Sequence, residues 1–138
     1  MEQPAPLAPG KPLKILVVDD HLLIRQLVTG ILDGDPRFEV IGEAENGLDA
    51  LAQAERLKPD VVVLDISMPV LDGFEAARRM RKCHPPILIV ILSTNESQDY
   101  IDEMKKIGAG AYVAKPKAAD SLKKAIETVF NKGEFFVA

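Results

Sequence analysis

Four short groups of polar residues could act together, because each one follows a run of apolar residues. The groups contain three carboxylates, two hydroxyls and one lysine: Asp19-Asp20, Asp65, Ser93-Thr94 and Lys115. The run before Asp65, from Val61 to Leu64, is apolar at every position, which predicts a strand covered on both faces at the centre of a parallel sheet. Open parallel sheets bind ligands at the carboxyl ends of their strands, so we expect this carboxylate in a binding crevice.

If the four groups lie at one edge of a sheet, their charges suggest a particular chemistry. Crowded carboxylates repel one another unless a cation lies between them. A set of oxygen ligands suits Mg²⁺, which takes one or two carboxylates and often a phosphate oxygen. Lys115 adds a mobile positive charge, and the Ser93 hydroxyl can donate a hydrogen bond. Such a set could receive a phosphoryl group on a carboxylate, with the metal and the lysine balancing the developing charge.

The rest of the chain alternates predicted strands with predicted helices. Apolar runs predict four further strands: Leu13 to Val18, Phe38 to Ala44, Ile87 to Leu92 and Ala111 to Val113. A helix with a 3.6-residue apolar period follows each strand, and we expect the helices to bury, among others, Leu27, Val28, Leu48, Leu51, Met80, Met104, Leu122 and Phe130. Short connections predict right-handed crossovers and a three-layer α/β/α sandwich. The more polar second strand suits an edge, giving a flavodoxin-like, five-stranded parallel sheet of order 2-1-3-4-5.

Length and composition predict one domain in a reducing compartment. The 138 residues can bury a core without help from disulfide bonds or a structural metal. Cys83 is the only cysteine, which favours a cytoplasmic location. No apolar run approaches the ~20 residues of a membrane helix. With 17 basic and 21 acidic residues, the net charge of −4 disfavours nucleic-acid contact by this chain. We expect a flexible proline-rich tail at 1–12, the domain at 13–133, and a C-terminal tail or the start of a linker at 134–138.

Several short motifs occur in register along most of residues 13–133. They are Val17-Val18-Asp19-Asp20, Leu64 to Pro69, Asp72-Gly73, Leu92-Ser93 and Gly108 to Pro116. In these motifs the chain resembles the receiver domain of two-component response regulators. The resemblance implies that Asp65 accepts a phosphoryl group from the phosphohistidine of a sensor histidine kinase or a phosphotransfer protein. It also implies that Mg²⁺ is held by Asp19, Asp20, Asp65 and the backbone carbonyl of Ser67.

The resemblance also implies how such a domain would signal. Ser93 would be the switch hydroxyl, Lys115 the lysine that contacts the phosphoryl group, and Tyr112 the switch aromatic. A cis peptide bond is implied between Lys115 and Pro116. Phosphorylation would shift an existing equilibrium at a face formed by the fourth helix, the fifth strand and the fifth helix. The chain would catalyse only its own phosphorylation and dephosphorylation, and would not otherwise be an enzyme.

The partner that receives the signal has several candidates. The segment from His21 through Phe38 to Ala44 most resembles receivers that precede a helix-turn-helix DNA-binding domain. The output is therefore either a DNA-binding domain absent from this chain or a separate protein, and a phosphorylation-dependent homodimer is a third partner to consider. The branched side chain of Thr94 could restrict the access of water to an acyl phosphate and so change its lifetime.

Two other functional classes use the same residues. A Mg²⁺-dependent phosphohydrolase could work through an aspartyl phosphate, although no insertion supplies a cap for a substrate. A binding module that does not depend on phosphorylation would keep the fold alone. Single residues also have simpler interpretations: the Asp19-Asp20 pair as a helix cap, Lys115 as a surface lysine, and Tyr112 as a half-buried ring on an edge strand. His21 is interpreted as a residue of the first helical turn, and Cys83 as an inert side chain.

Overall fold

The computed structural model describes residues 11–138, so the predicted tail at 1–12 lies outside the described residues except for its last two positions. The strands are β1 (Leu13–Val18), β2 (Phe38–Ala44), β3 (Val61–Leu64), β4 (Leu88–Ser93), β5 (Ala111–Ala114) and β6 (Phe136–Val137). The helices are α1 (Leu22–Asp33), α2 (Gly47–Leu57), α3 (Gly73–Cys83), α4 (Gln98–Ile107) and α5 (Ala118–Lys132). All strands are parallel, in the order β2-β1-β3-β4-β5-β6. The predicted parallel α/β fold and the order of its first five strands are confirmed.

The strand count of five was wrong, because β6 adds a sixth strand beside β5. Phe136 pairs with Ala111, and Val137 pairs with Tyr112. These residues lie in the segment 134–138 that we expected to be a tail or the start of a linker. Two residues are too few to show a periodicity, so the strand could not be predicted from local pattern. As a consequence, β5 is not the edge of the sheet.

Two apolar clusters lie on opposite faces of the sheet, as a three-layer sandwich requires. One joins β1, β3, β4 and β5 to α1 and α5, and the other joins the opposite faces of the strands to α2, α3 and α4. Three side chains that we expected inside are exposed: Leu27, Leu48 and Phe130. In α2 the fully buried inward positions are the small residues Gly47, Ala50 and Ala54, which leaves its first leucine at the surface.

The helix that follows β3 is held close to the sheet by its first residue. The Asp72 side chain caps α3 by accepting a hydrogen bond from the backbone N–H of Glu75 at 3.0 Å. At Gly73, an added Cβ would lie 2.3 Å from the backbone oxygen of Asp65 and 2.6 Å from Cα of Ile66. Only glycine permits this approach, which fixes α3 against the end of the central strand. None of the helices in residues 11–138 is long and apolar enough to cross a membrane.

Candidate functional site

The four predicted polar groups meet at the carboxyl edge of the sheet. Asp19 follows β1, Asp65 follows β3, Ser93 ends β4 and Lys115 follows β5. Among residues 11–138, three polar or charged residues are buried, namely Asp19, Asp65 and Ser93, with 2–3 % of their surface exposed. Burying charge is costly unless it is paired, so this concentration of buried polar groups is typical of a functional site.

The buried carboxylates share one lysine. The Nζ atom of Lys115 lies 2.9 Å from Oδ2 of Asp19 and 3.3 Å from Oδ1 of Asp65. Burial raises the pKa of Asp65, and the neighbouring charge of Asp19 raises it further, against the opposing effect of Lys115. Burial lowers the pKa of Lys115, but its hydrogen bond to Asp19 and the charges of both carboxylates outweigh that effect and raise the pKa. The ammonium therefore stays charged and fixed between the two carboxylates.

An acidic cluster beside this lysine offers ligands for a divalent cation. Asp19, Asp20, His21 and Asp65 each present one ligand atom, and these atoms lie within 4.8 Å of one another. Within the described part of the chain, Oδ2 of Asp65 is buried without a hydrogen-bond partner, while its Oδ1 accepts from the N–H of Ile66 at 2.9 Å. A buried carboxylate oxygen with a free lone pair, set among further carboxylates, fits a hard divalent cation.

His21, which belongs to this cluster, and Arg25, which lies beside it, were not predicted as part of the site. His21 is the residue that caps α1 rather than part of its first turn, and its Nδ1 lies 3.0 Å from Oδ1 of Asp20. Arg25 donates from Nη1 to the backbone oxygen of Asp19 at 2.7 Å and from Nε to Glu43 at 2.7 Å. The position of His21 next to the acidic pair was a visible signal, whereas the contact of Arg25 with β2 depends on the fold.

The loop after β3 forms one wall of an open cleft of about 300 Å³. Ser67, whose carbonyl is a predicted metal ligand, lines this cleft. Asp72, Ser93 and Thr94 line it as well. Val70 in this loop has a φ of +70° and is 72 % exposed. A β-branched residue is strained in that region of φ, so the loop holds a conformation that glycine would adopt more easily.

A chain of hydrogen bonds leads from the cleft to β5 through Asn95. The hydroxyl of Ser93 accepts from the backbone N–H of Asn95 at 3.0 Å. The hydroxyl of Tyr112 donates to the backbone oxygen of Asn95 at 2.7 Å. Tyr112 is 1 % exposed, so the interpretation as a half-buried ring on an edge strand was wrong, and burial raises its pKa. The residue that joins the two predicted switch groups, Asn95, was not predicted.

The implied cis peptide bond at Lys115-Pro116 was wrong: the described residues contain none. Lys115 to Lys117 instead form a single 3₁₀ turn, with proline in its first turn. Proline suits that position because its missing N–H is not needed there and its φ is already set. The long lysine side chain reaches Asp19 and Asp65 from this trans backbone.

Comparison of the sequence with models of known protein families identifies the family of this chain. Residues 15–127 match the family model of the response regulator receiver domain. The chain belongs to this family. The predicted recognition is thus confirmed, and the match includes every predicted site residue from Asp19 to Lys115.

The chain matches only part of the length of its relatives. The chain is 35 % identical over 123 residues to the transcriptional regulatory protein DegU of Brevibacillus brevis, covering 89 % of the chain and 52 % of the relative. It is 37 % identical over 118 residues to the response regulator GacA of Pseudomonas syringae pv. syringae, covering 86 % and 55 %. A protein-glutamate methylesterase/protein-glutamine glutaminase of Halalkalibacterium halodurans matches at 42 % over 111 residues, covering 80 % of the chain and 32 % of the relative. The chain thus spans about half or less of these relatives.

Solved structures of the family superpose well on this receiver. The response regulator domain of CheB from Thermotoga maritima matches with a TM-score of 0.74 and 34 % identity, covering 87 % of this chain and 92 % of that one. A two-component response regulator of the LuxR family from Aurantimonas sp. SI85-9A1 matches with a TM-score of 0.84 and 27 % identity, covering 91 % and 89 %.

Proposed function

We propose that this receiver takes a phosphoryl group onto Asp65 from the phosphohistidine of a sensor histidine kinase or a phosphotransfer protein. The observation that carries the proposal is the setting of Asp65. Its buried Oδ2 is free of hydrogen bonds within the described residues, while Nζ of Lys115 lies 3.3 Å from its Oδ1 and 2.9 Å from Oδ2 of Asp19. A nucleophilic oxygen beside a fixed ammonium is what transfer of a phosphoryl group requires.

In the proposed reaction, a bond forms between one carboxylate oxygen of Asp65 and phosphorus as the phosphorus–nitrogen bond of the donor breaks. The imidazole leaves and takes up a proton. Lys115 stays charged and balances the negative charge that develops on the phosphoryl oxygens. We assign Asp19, Asp20, Asp65 and the carbonyl of Ser67 as the residues that would hold Mg²⁺, which when bound would neutralise part of that charge. The open cleft at Ser67 gives a large donor access from solvent.

The product would signal through Ser93 and Tyr112. A phosphoryl group on Asp65 offers the Ser93 O–H a charged acceptor. The oxygen of the same hydroxyl now accepts from the N–H of Asn95, and a turn of the side chain toward Asp65 would move that oxygen away from Asn95. If Ser93 leaves Asn95, the acceptor of the Tyr112 hydroxyl moves with that loop. The affected surface would be the face made by α4, β5 and α5, where an output domain, a separate protein or a second copy of the chain would bind.

Intact-mass spectrometry tests this function directly. The chain is incubated with phosphoramidate, whose phosphorus–nitrogen bond resembles that of phosphohistidine, with Mg²⁺ or with EDTA. We expect the mass of one phosphoryl group to be added to the wild type in Mg²⁺, and none to Asp65→Asn or to the EDTA sample. Asp72→Asn is the matched control, because asparagine caps a helix as well as aspartate and the residue lines the same cleft.

The two alternative functions predict different results, which need further measurements beside the intact mass. A phosphohydrolase would release inorganic phosphate steadily from an added phosphate ester. A module independent of phosphorylation would gain no mass under any condition, and its partner affinity would be unchanged by the donor. The cytoplasmic location and the absence of nucleic-acid contact stay predictions from composition.

A further inference from the structure

The edge of β5 is covered by residues from the C-terminal end of the described chain. The backbone N–H of Phe136 donates to the oxygen of Gly110 at 3.1 Å, and that of Ala138 donates to Tyr112 at 3.0 Å. In return, the N–H of Ala114 donates to the oxygen of Ala138 at 2.9 Å. These bonds satisfy backbone groups that would otherwise form an open sheet edge.

Two adjacent aromatic side chains anchor this segment on opposite faces of the sheet. Phe135 packs against the cluster on the side of α4, where Nζ of Lys105 lies 5.4 Å from its ring centroid. Phe136 packs against the cluster on the side of α5. Both rings are only half-buried, and a cavity of about 320 Å³ remains beside Phe135, with Arg81 and Lys105 among its lining residues.

The attachment is small enough to exchange. β6 has two residues in the described chain, the side chain of Val137 is exposed, and α5 ends at Lys132, followed by Gly133 with a φ of +68°. Glycine accepts this left-handed conformation without strain, and its N–H donates to the oxygen of Val129 at 3.0 Å, so the helix ends there and the chain leaves it. Short segments with few buried contacts open at low free energy compared with the core of a domain.

We propose that the β5 edge is a docking site for an extended partner segment, and that residues 134–138 occupy it as an internal competitor. The partner segment would pair parallel to β5, with two adjacent aromatic side chains on opposite faces of the sheet. An acidic residue before the aromatics would complement Arg81 and Lys105 at the cavity. The resident segment has this order itself, Glu134-Phe135-Phe136.

The docking site is connected to the candidate phosphorylation site through one residue. The backbone oxygen of Tyr112 accepts from Ala138, and its hydroxyl donates to Asn95, whose N–H bonds to Ser93. This connection rests on the proposed function: a phosphoryl group on Asp65 that draws Ser93 away from Asn95 would loosen Tyr112 and with it the resident segment.

The test uses the full chain labelled with ¹⁵N and, as a probe, the unlabelled peptide Asn-Lys-Gly-Glu-Phe-Phe-Val-Ala, which copies residues 131–138. Ala138→Pro removes a donor to β5. Val137→Pro is the matched control, because N–H groups alternate along a strand and this one points away from β5. The loss of one hydrogen bond weakens the internal competitor, so we expect the Ala138→Pro variant to bind the peptide about three- to tenfold more tightly than the wild type. Val137→Pro should bind the peptide with the affinity of the wild type. In each protein the amide signal of Ala114, whose N–H donates to the oxygen of Ala138, measures the binding.

Three results would overturn the proposal. The first is equal affinity of the two proline variants, and the second is a peptide that shifts no amide of β5 in Ala138→Pro. The third is a wild-type dimer that dissociates on addition of the peptide, because the occupant would then be a second copy of the chain. A final experiment adds beryllofluoride, an analogue of the phosphoryl group, and Mg²⁺ to the wild type. Tighter binding of the peptide supports the connection to Asp65, and unchanged affinity overturns it. The comparison of variants needs no phosphoryl analogue, so its result does not depend on the proposed function.

Discussion

At the scale of single residues, the pKa of Asp65 connects the site to the stability of the fold. Burial and the charge of Asp19 raise this pKa. The folded chain then holds the proton more tightly than the unfolded chain, so the contribution to stability is full below the unfolded pKa of 3.8 and is lost as the pH rises through the raised value. A neutral group at this position avoids that loss.

We therefore predict that Asp65→Asn increases the free energy of unfolding at neutral pH, because asparagine has no charge to bury there. The difference from the wild type should shrink as the pH falls toward 3.8. Urea unfolding of both proteins in EDTA, over this range of pH, measures it. A variant that is less stable than the wild type at neutral pH would contradict the electrostatic argument.

Lys115 should be stabilising for the opposite reason. In Lys115→Met the carboxylates of Asp19 and Asp65 lose their shared cation, and leaving buried charges unpaired costs about 3 kcal/mol. We expect a loss of that order in EDTA, and a smaller loss in saturating Mg²⁺ because a cation can then replace the ammonium charge. Thermal unfolding with and without Mg²⁺ measures both. Lys117→Met, an exposed lysine two residues away, is the matched control and should change stability little; an equal loss in both variants would rule out the proposed pairing.

At the scale of elements, the start of α3 depends on the absence of a side chain at Gly73. A Cβ there would lie 2.3 Å from a backbone oxygen, so Gly73→Ala must move the helix away from Asp65. We predict a loss of about 2 kcal/mol or more, as for other overpacked positions. Gly30→Ala in α1 is the control: nothing lies within 4 Å of its added Cβ, and alanine should stabilise the helix by about 1 kcal/mol. Denaturant midpoints that fall by the same amount in both variants would contradict this account.

The loop between β3 and α3 should gain stability when its strained residue is replaced. Val70 has a φ of +70° and an exposed side chain, so little packing is lost on removing it. We predict that Val70→Gly raises the free energy of unfolding by about 1 kcal/mol, the cost of a left-handed conformation for a residue with a Cβ. Chemical denaturation checks the sign, and a clear destabilisation would show that the backbone is not strained there.

At the scale of the whole molecule, the parts predictable from sequence are those that topology determines. Apolar runs and helical periods identify the first five strands and five helices, and parallel order alone places the ends of four strands at one edge. That is why Asp19, Asp65, Ser93 and Lys115 could be assigned to one site before their distances were known. The roles assigned to them stay predictions until phosphorylation is measured.

What could not be predicted depends on contacts between distant parts of the chain. Asn95 joins Ser93 to Tyr112 through backbone atoms of a loop, and any residue type there except proline could have made those bonds. The strand β6 exists because β5 offers an edge, rather than because of a pattern in its two residues. Leu27 lies at the border of an apolar helix face, where burial is decided by how closely the neighbouring elements pack.

The most direct test of the central claim is to find which aspartate carries the phosphoryl group. After reaction with phosphoramidate and Mg²⁺, borohydride reduces an aspartyl phosphate to homoserine, and trypsin separates the candidates: Asp19 and Asp20 fall in the peptide Ile15–Arg25, and Asp65 in Leu57–Arg78. We predict that homoserine replaces Asp65 alone, and that Asp65→Asn gives none. Homoserine at Asp19 or Asp20, or modification that persists in Asp65→Asn, would contradict the account.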